Sequence, residues 1–245
     1  MVLFVTSSPY VGDADRAILS NDNEFIDRIR TVLPPCPRAL FIAADPGSRE
    51  DTCRFAADTT GAFSEAGMPF QSYHILDGFN AEDAEALIAG SDLILLSGGH
   101  VPTQNAFFQN IGLRELLQGF DGVVVGISAG SMNCADVVYV QPEEEGESSP
   151  DFPRWAEGLG LTDVNILPHY QKVKDNILDG LRLFEDITYA DSMGNTFFVL
   201  PDGSYFYQDE DGLLLCGEGY RLQDGILEQL TQNGDVLDME ELGNL

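Results

Sequence analysis

GVVVGISAGSMNCA, residues 122–135, joins a run of apolar β-branched residues to a serine set between Gly126 and Gly130, with small side chains after it. An apolar run without polar alternation fits a strand covered on both faces, the usual state of a parallel sheet. The flanking glycines let the backbone turn sharply from that strand into a helix, which would lift the Ser128 hydroxyl above the sheet edge. The same residues also suit a plain glycine-rich turn, and short serine motifs arise by chance in a chain with 25 glycines. The neighbouring segments therefore carry weight.

Upstream, DLILLSGG (92–99) is a second continuous apolar run, and it ends on a double glycine. VLFVTS (2–7), RALFIAA (38–44) and FQSYHIL (70–76) are short apolar runs of the same kind. Between them stand NDNEFIDRIRTVL (21–33), REDTCRFAADTTGAFSEAG (49–67), NAEDAEALIAG (80–90) and PTQNAFFQNIGLRELLQGF (102–120), each with helical character. The last is expected to break near Gly112. This alternation predicts an α/β fold, a doubly wound, mostly parallel sheet with helices on both faces. From residue 195 onward, DG and NG pairs recur between short apolar stretches, which predicts C-terminal antiparallel strands or hairpins. With no linker, repeat or low-complexity tract, residues 1–245 read as a single domain.

Charge excludes whole classes of partner. With 41 acidic against 12 basic residues, the formal net charge is −29. That field repels phosphate backbones and anionic lipid, so neither nucleic acid nor a membrane surface is expected as a partner. No apolar run approaches the ~20 residues that span a bilayer, and the N-terminal stretch reads as a first strand, not a signal peptide. Cys36, Cys53, Cys134 and Cys216 are scattered without paired spacing, which suggests neither a zinc site nor a disulfide framework and fits the cytoplasm. No metal or cofactor is expected, and the protein is expected to be a monomer or homodimer.

Three histidines are available as a base for Ser128. His74 lies within a strand and reads as a packed or edge residue. His100 follows the double glycine, and His169 ends the apolar run VNILP, so residue types alone leave these two equal. The amide of Ala129, opening a helix after the serine, and that of Gly99, at the end of a buried strand, are candidate oxyanion donors. Both strand ends lie where open α/β sheets bind ligands.

SGGH (97–100), GISAGSMN (126–133), QPEEEGE (141–147) and ILPHY (166–170), in this order and at these spacings, resemble the S51 serine peptidases, which include peptidase E and cyanophycinase. The resemblance is close over residues 90–175. It implies a fold similar to class I glutamine amidotransferases, Ser128 as nucleophile, His169 as base, and Gly99 with Ala129 as the oxyanion hole. The family's acid falls on Glu143 by the peptidase E spacing, or on Glu145 or Glu147 by that of cyanophycinase. His100 stands where peptidase E has asparagine and is expected to touch substrate. The chain's only lysines, Lys172 and Lys174, follow His169 closely, with Arg182 further on. These cations are expected to receive a carboxylate of the substrate, which points to short Asp-containing dipeptides. A cyanophycinase-like hydrolase of β-Asp-Arg peptides, a silent peptide-binding protein and an amidotransferase-like thiol enzyme are the alternatives. The last needs a cysteine at the elbow, and Cys134 comes six residues too late.

Overall fold

The computed structural model describes residues 1–11 and 17–243. Its centre is an eight-stranded sheet whose parallel half is built from Val2–Thr6, Val123–Ile127, Leu93–Leu96, Arg38–Ile42 and Ser72–Leu76, in that spatial order. Alternate residues of these strands enter opposite layers. Leu40, Ile42, Ile94, Leu96 and Val124 pack into one cluster, and Phe41, Leu93, Leu95, Val123 and Val125 into the other. Two covered faces are why these strands are apolar throughout.

Helices Phe25–Val32, Arg49–Glu65, Ala84–Ala89 and Val101–Asn110 connect the parallel strands. The first is shorter than its apolar pattern. Asn23 and Glu24 adopt positive φ, while Asn21 Oδ1 accepts from the amides of Ile26 and Asp27 at 3.0 and 3.3 Å. The break expected near Gly112 is present: this residue has φ 63° and separates Val101–Asn110 from Leu113–Leu116.

The expected antiparallel addition extends the sheet beyond Val2–Thr6 through Tyr205–Asp209, Gly212–Cys216 and Val236–Asp238. A second sheet pairs Ile166–Leu167, Thr196–Val199, Gly219–Gln223 and Ile226–Thr231. Its last hairpin turns on Asp224-Gly225, with φ of 50° and 72°, the two left-handed residues a tight hairpin demands. QKVKDNILDGLRLFED, which reads as an exposed helix, is instead a short helix Tyr170–Val173, a hairpin Ile177–Leu178/Leu181–Arg182 and a further turn of helix. Asp179-Gly180, at φ 51° and 85°, makes that hairpin by the same chemistry.

Self-repulsion among 41 acidic side chains against 12 basic ones destabilises the compact chain, and salt screens it. The melting temperature should therefore rise as KCl is raised from about 0.1 M to about 1 M, where the screening length falls from about 10 to about 3 Å. A flat or falling melting temperature in calorimetry would show that these charges are already compensated.

Candidate active site

The elbow is built by close backbone packing. A Cβ on Gly130 would lie 2.3 Å from the carbonyl oxygen of Leu96, so only glycine lets the turn rest on the neighbouring strand. Ser128 itself holds φ 51° and ψ −113°, a region that side chains rarely occupy. Its amide donates to the carbonyls of Thr6 and Ser7 at 3.1 and 3.0 Å, and Ser131 Oγ donates to the Thr6 carbonyl at 2.8 Å. The elbow is thus pinned to the end of the first strand, and the strained residue is held by its surroundings.

His169 reaches this hydroxyl. Its Nε2 lies 2.8 Å from Ser128 Oγ, and its Nδ1 lies 2.6 Å from Asp202 Oδ1. Glu143, Glu145 and Glu147 do not occupy that far side of the ring, so the expected acid is corrected to Asp202. The reason is sheet register. Ile166–Leu167 and Thr196–Val199 run parallel, with Leu167 beside Val199, so Pro168-His169 and Pro201-Asp202 leave the same sheet end together. No acid from the 143–147 loop is needed there.

Asp202 is held from several sides. Ser7 Oγ donates to its Oδ1 at 3.0 Å and accepts from the His169 amide at 2.7 Å. Lys172 Nζ sits 2.7 Å from its Oδ2. Burial opposes its charge, but the hydrogen bonds from His169 and Lys172 and the positive charge of Lys172 outweigh that and hold its pKa well below the usual carboxylate range. An ionised Asp202 only accepts, so the imidazole hydrogen belongs on Nδ1, and Nε2 is left to accept from the Ser128 hydroxyl.

Ser128 and His169 open onto a pocket of about 160 Å³, which Gly99, Ala129 and Glu143 also border. Ala129 opens the helix Ala129–Met132, where an amide has no acceptor within the helix, and Gly99 immediately precedes His100 at the start of the helix Val101–Asn110. Glu143 is exposed at this pocket; partial burial raises its pKa, His100 lowers it, and Glu147 and Glu144 raise it further. Asp179, on the hairpin turn, accepts from the Ser148 hydroxyl at 2.7 Å and the Gly146 amide at 2.9 Å, tying the hairpin to the acidic loop.

The other expected contacts lie elsewhere. His100 has both ring nitrogens engaged, with Thr103 Oγ1 at 2.8 Å and Glu147 Oε1 at 2.9 Å, and it borders a neighbouring cavity of about 340 Å³ on the far side of Gly99. It is not placed beside the serine. His100, Glu144 and Glu147 have candidate donor atoms within 4.8 Å of one another, the one grouping among the described residues with spacing for a cation. Lys172 is engaged by Asp202, and Arg182 forms a bidentate pair with Asp186 at 2.6 and 3.0 Å. Neither of them, nor Lys174, borders the serine pocket.

Asp202 escaped the sequence because Leu-Pro-Asp-Gly reads as turn chemistry, in which an aspartate needs no other reason to be present. Ser7, the residue after the strand Val2–Thr6, carries no signal at all. Cys134 is fully buried, its Sγ 3.2 Å from the Gly130 carbonyl, and burial pushes its thiol up to about 12. It is therefore a thiol, not a thiolate, at neutral pH. Alkylation by iodoacetamide should modify the exposed Cys36 and Cys53 and leave Ser128 reactivity intact; loss of serine labelling in step with Cys134 modification would contradict this.

Among the described residues no helix is long and apolar enough to cross a membrane. No curated protein matches the chain. The fold is similar to that of a crystal structure described as "a Putative Peptidase E Protein from Listeria monocytogenes EGD-e", with 16% identity, a TM-score of 0.57, and coverage of 94% of this chain and 98% of that one. The sequence pattern of peptidase family S51 matches residues 5–215. By that match, spanning most of its length and the whole elbow-to-Asp202 region, the chain belongs to peptidase family S51.

Proposed function

We propose that the protein is a serine peptidase that hydrolyses short peptides through an acyl-enzyme. The observation that carries this reading is the continuous hydrogen-bonded chain Ser128–His169–Asp202 at the mouth of a pocket. Ser128 Oγ attacks the scissile carbonyl carbon while its proton passes to His169 Nε2. Asp202 stabilises the imidazolium that forms, and the amides of Gly99 and Ala129 receive the developing oxyanion. Collapse breaks the C–N bond, and His169 returns the proton to the leaving amine. Water then attacks the acyl carbon with His169 as base, releasing the acid and restoring Ser128.

The pocket is small, in keeping with short substrates. A preference for Asp-containing dipeptides rested on Lys172, Lys174 and Arg182, and the pairing of two of these with Asp202 and Asp186 weakens that support. A dipeptide panel with wild type and Ser128→Ala, alongside labelling by a fluorophosphonate, tests the reading. Labelling at Ser128 and turnover that vanishes in the variant are expected. An unlabelled wild type that cleaves none of the panel would overturn it.

A further inference from the structure

The walls of the serine pocket have a chemistry of their own. Val101, Met132, Val173, Ile177, Leu178 and Leu183, from five separate segments of the chain, form an apolar side of it beside Ser128, and the neutral amides of Gln141 and Asn176 complete the lining. Its volume of about 160 Å³ is close to that of an apolar cavity that holds one benzene, about 150 Å³. Among the described residues no lysine or arginine lines it, and the one ionisable side chain there besides the His169 base is the Glu143 carboxylate.

We propose that this pocket receives an uncharged apolar side chain from the acyl-side residue of the substrate, and that Glu143 excludes acidic residues from it. The inference rests on the peptidase reading and narrows its substrate class. A side chain such as that of leucine or methionine fills the apolar walls and leaves water behind. An aspartyl side chain in the same place meets no cation, gives up part of its hydration and shares the pocket with the like-charged Glu143. Discrimination therefore comes from an attractive wall and a repulsive carboxylate together. Lys172 cannot relieve the aspartyl group without leaving Asp202 Oδ2, 2.7 Å away, and so loosening the support of His169.

The test compares kcat/KM for Leu-Leu and Asp-Leu, with fluorophosphonate labelling of Ser128 measured on the same preparation. Wild type should favour Leu-Leu by on the order of 100-fold, the scale on which a single apolar contact set discriminates. Glu143→Gln should narrow that ratio about tenfold by removing the repulsion, as one lost like-charge contact does. Ile177→Arg, at a position 70% exposed and so tolerant of substitution, should narrow it further by supplying the missing cation. Labelled protein that prefers Asp-Leu, or cleaves neither dipeptide, overturns the pocket assignment while the serine chemistry stands. A ratio that Glu143→Gln does not move removes Glu143 as the determinant. Protein that is neither labelled nor active overturns both readings.

Discussion

Ser128→Ala and His169→Ala each lower kcat by about 10⁶-fold, and the double variant is little worse than either single one. Residues that act as one unit behave this way, because removing one member leaves the other without its partner in the proton transfer. The 2.8 Å contact between Ser128 Oγ and His169 Nε2 is the physical basis of the expectation. Pre-steady-state and steady-state rates on the best dipeptide give the measurement, with circular dichroism to confirm that each variant is folded. Ser128 sits at positive φ, so alanine there inherits the same backbone strain and no new one. A residual rate within tenfold of wild type in either variant would remove that residue from the chemistry.

Asp202→Asn lowers kcat by about 10⁴-fold, because an amide no longer stabilises the imidazolium and allows the ring to present the wrong nitrogen to the serine. Glu143→Gln has a far smaller effect on kcat, since Glu143 makes no contact with the far side of the ring, and the comparison separates the two candidate acids. If Glu143→Gln were the more damaging change, the assignment of the acid would be reversed. The pH dependence follows from the same contact. Because the folded Asp202 carboxyl lies below its ordinary range, its pairing with His169 and Lys172 stabilises the fold at all pH values above that range. That contribution is lost as pH falls through the depressed folded value. Wild type should therefore lose more stability than Asp202→Asn on acidification from neutral pH, as followed by thermal melts.

Much of the architecture was legible because it depends on local pattern. Continuous apolar runs such as Leu93–Leu96 and Val123–Ile127 read as strands covered on both sides, and both are fully buried. The Ser128 elbow was legible because its glycines serve backbone contacts that no other residue allows. His169, by contrast, could be separated from His100 only by family resemblance, since both follow apolar runs near a strand end. The hairpin at Asp179-Gly180 was missed although its turn signal stood in the sequence, because the surrounding charges suit an exposed helix equally well.

By itself the sequence determined the buried parallel strands, the turn that carries Ser128, and the large negative net charge. Each is a property of neighbouring residues or of the whole composition, and neither depends on which distant segments meet. Only the tertiary structure decided which carboxylate meets His169, which acids pair with the cations, and which side chains line the pocket. Asp202 reaches His169 because two strands 30 residues apart in the chain pair in parallel register, Ile166 beside Phe198 and Leu167 beside Val199. Lys172 is drawn to the same carboxylate, and the pocket lining is assembled from segments that no local pattern links. Side-chain partners separated by long stretches of chain are set by strand pairing and packing, and these are resolved only when the whole chain has folded.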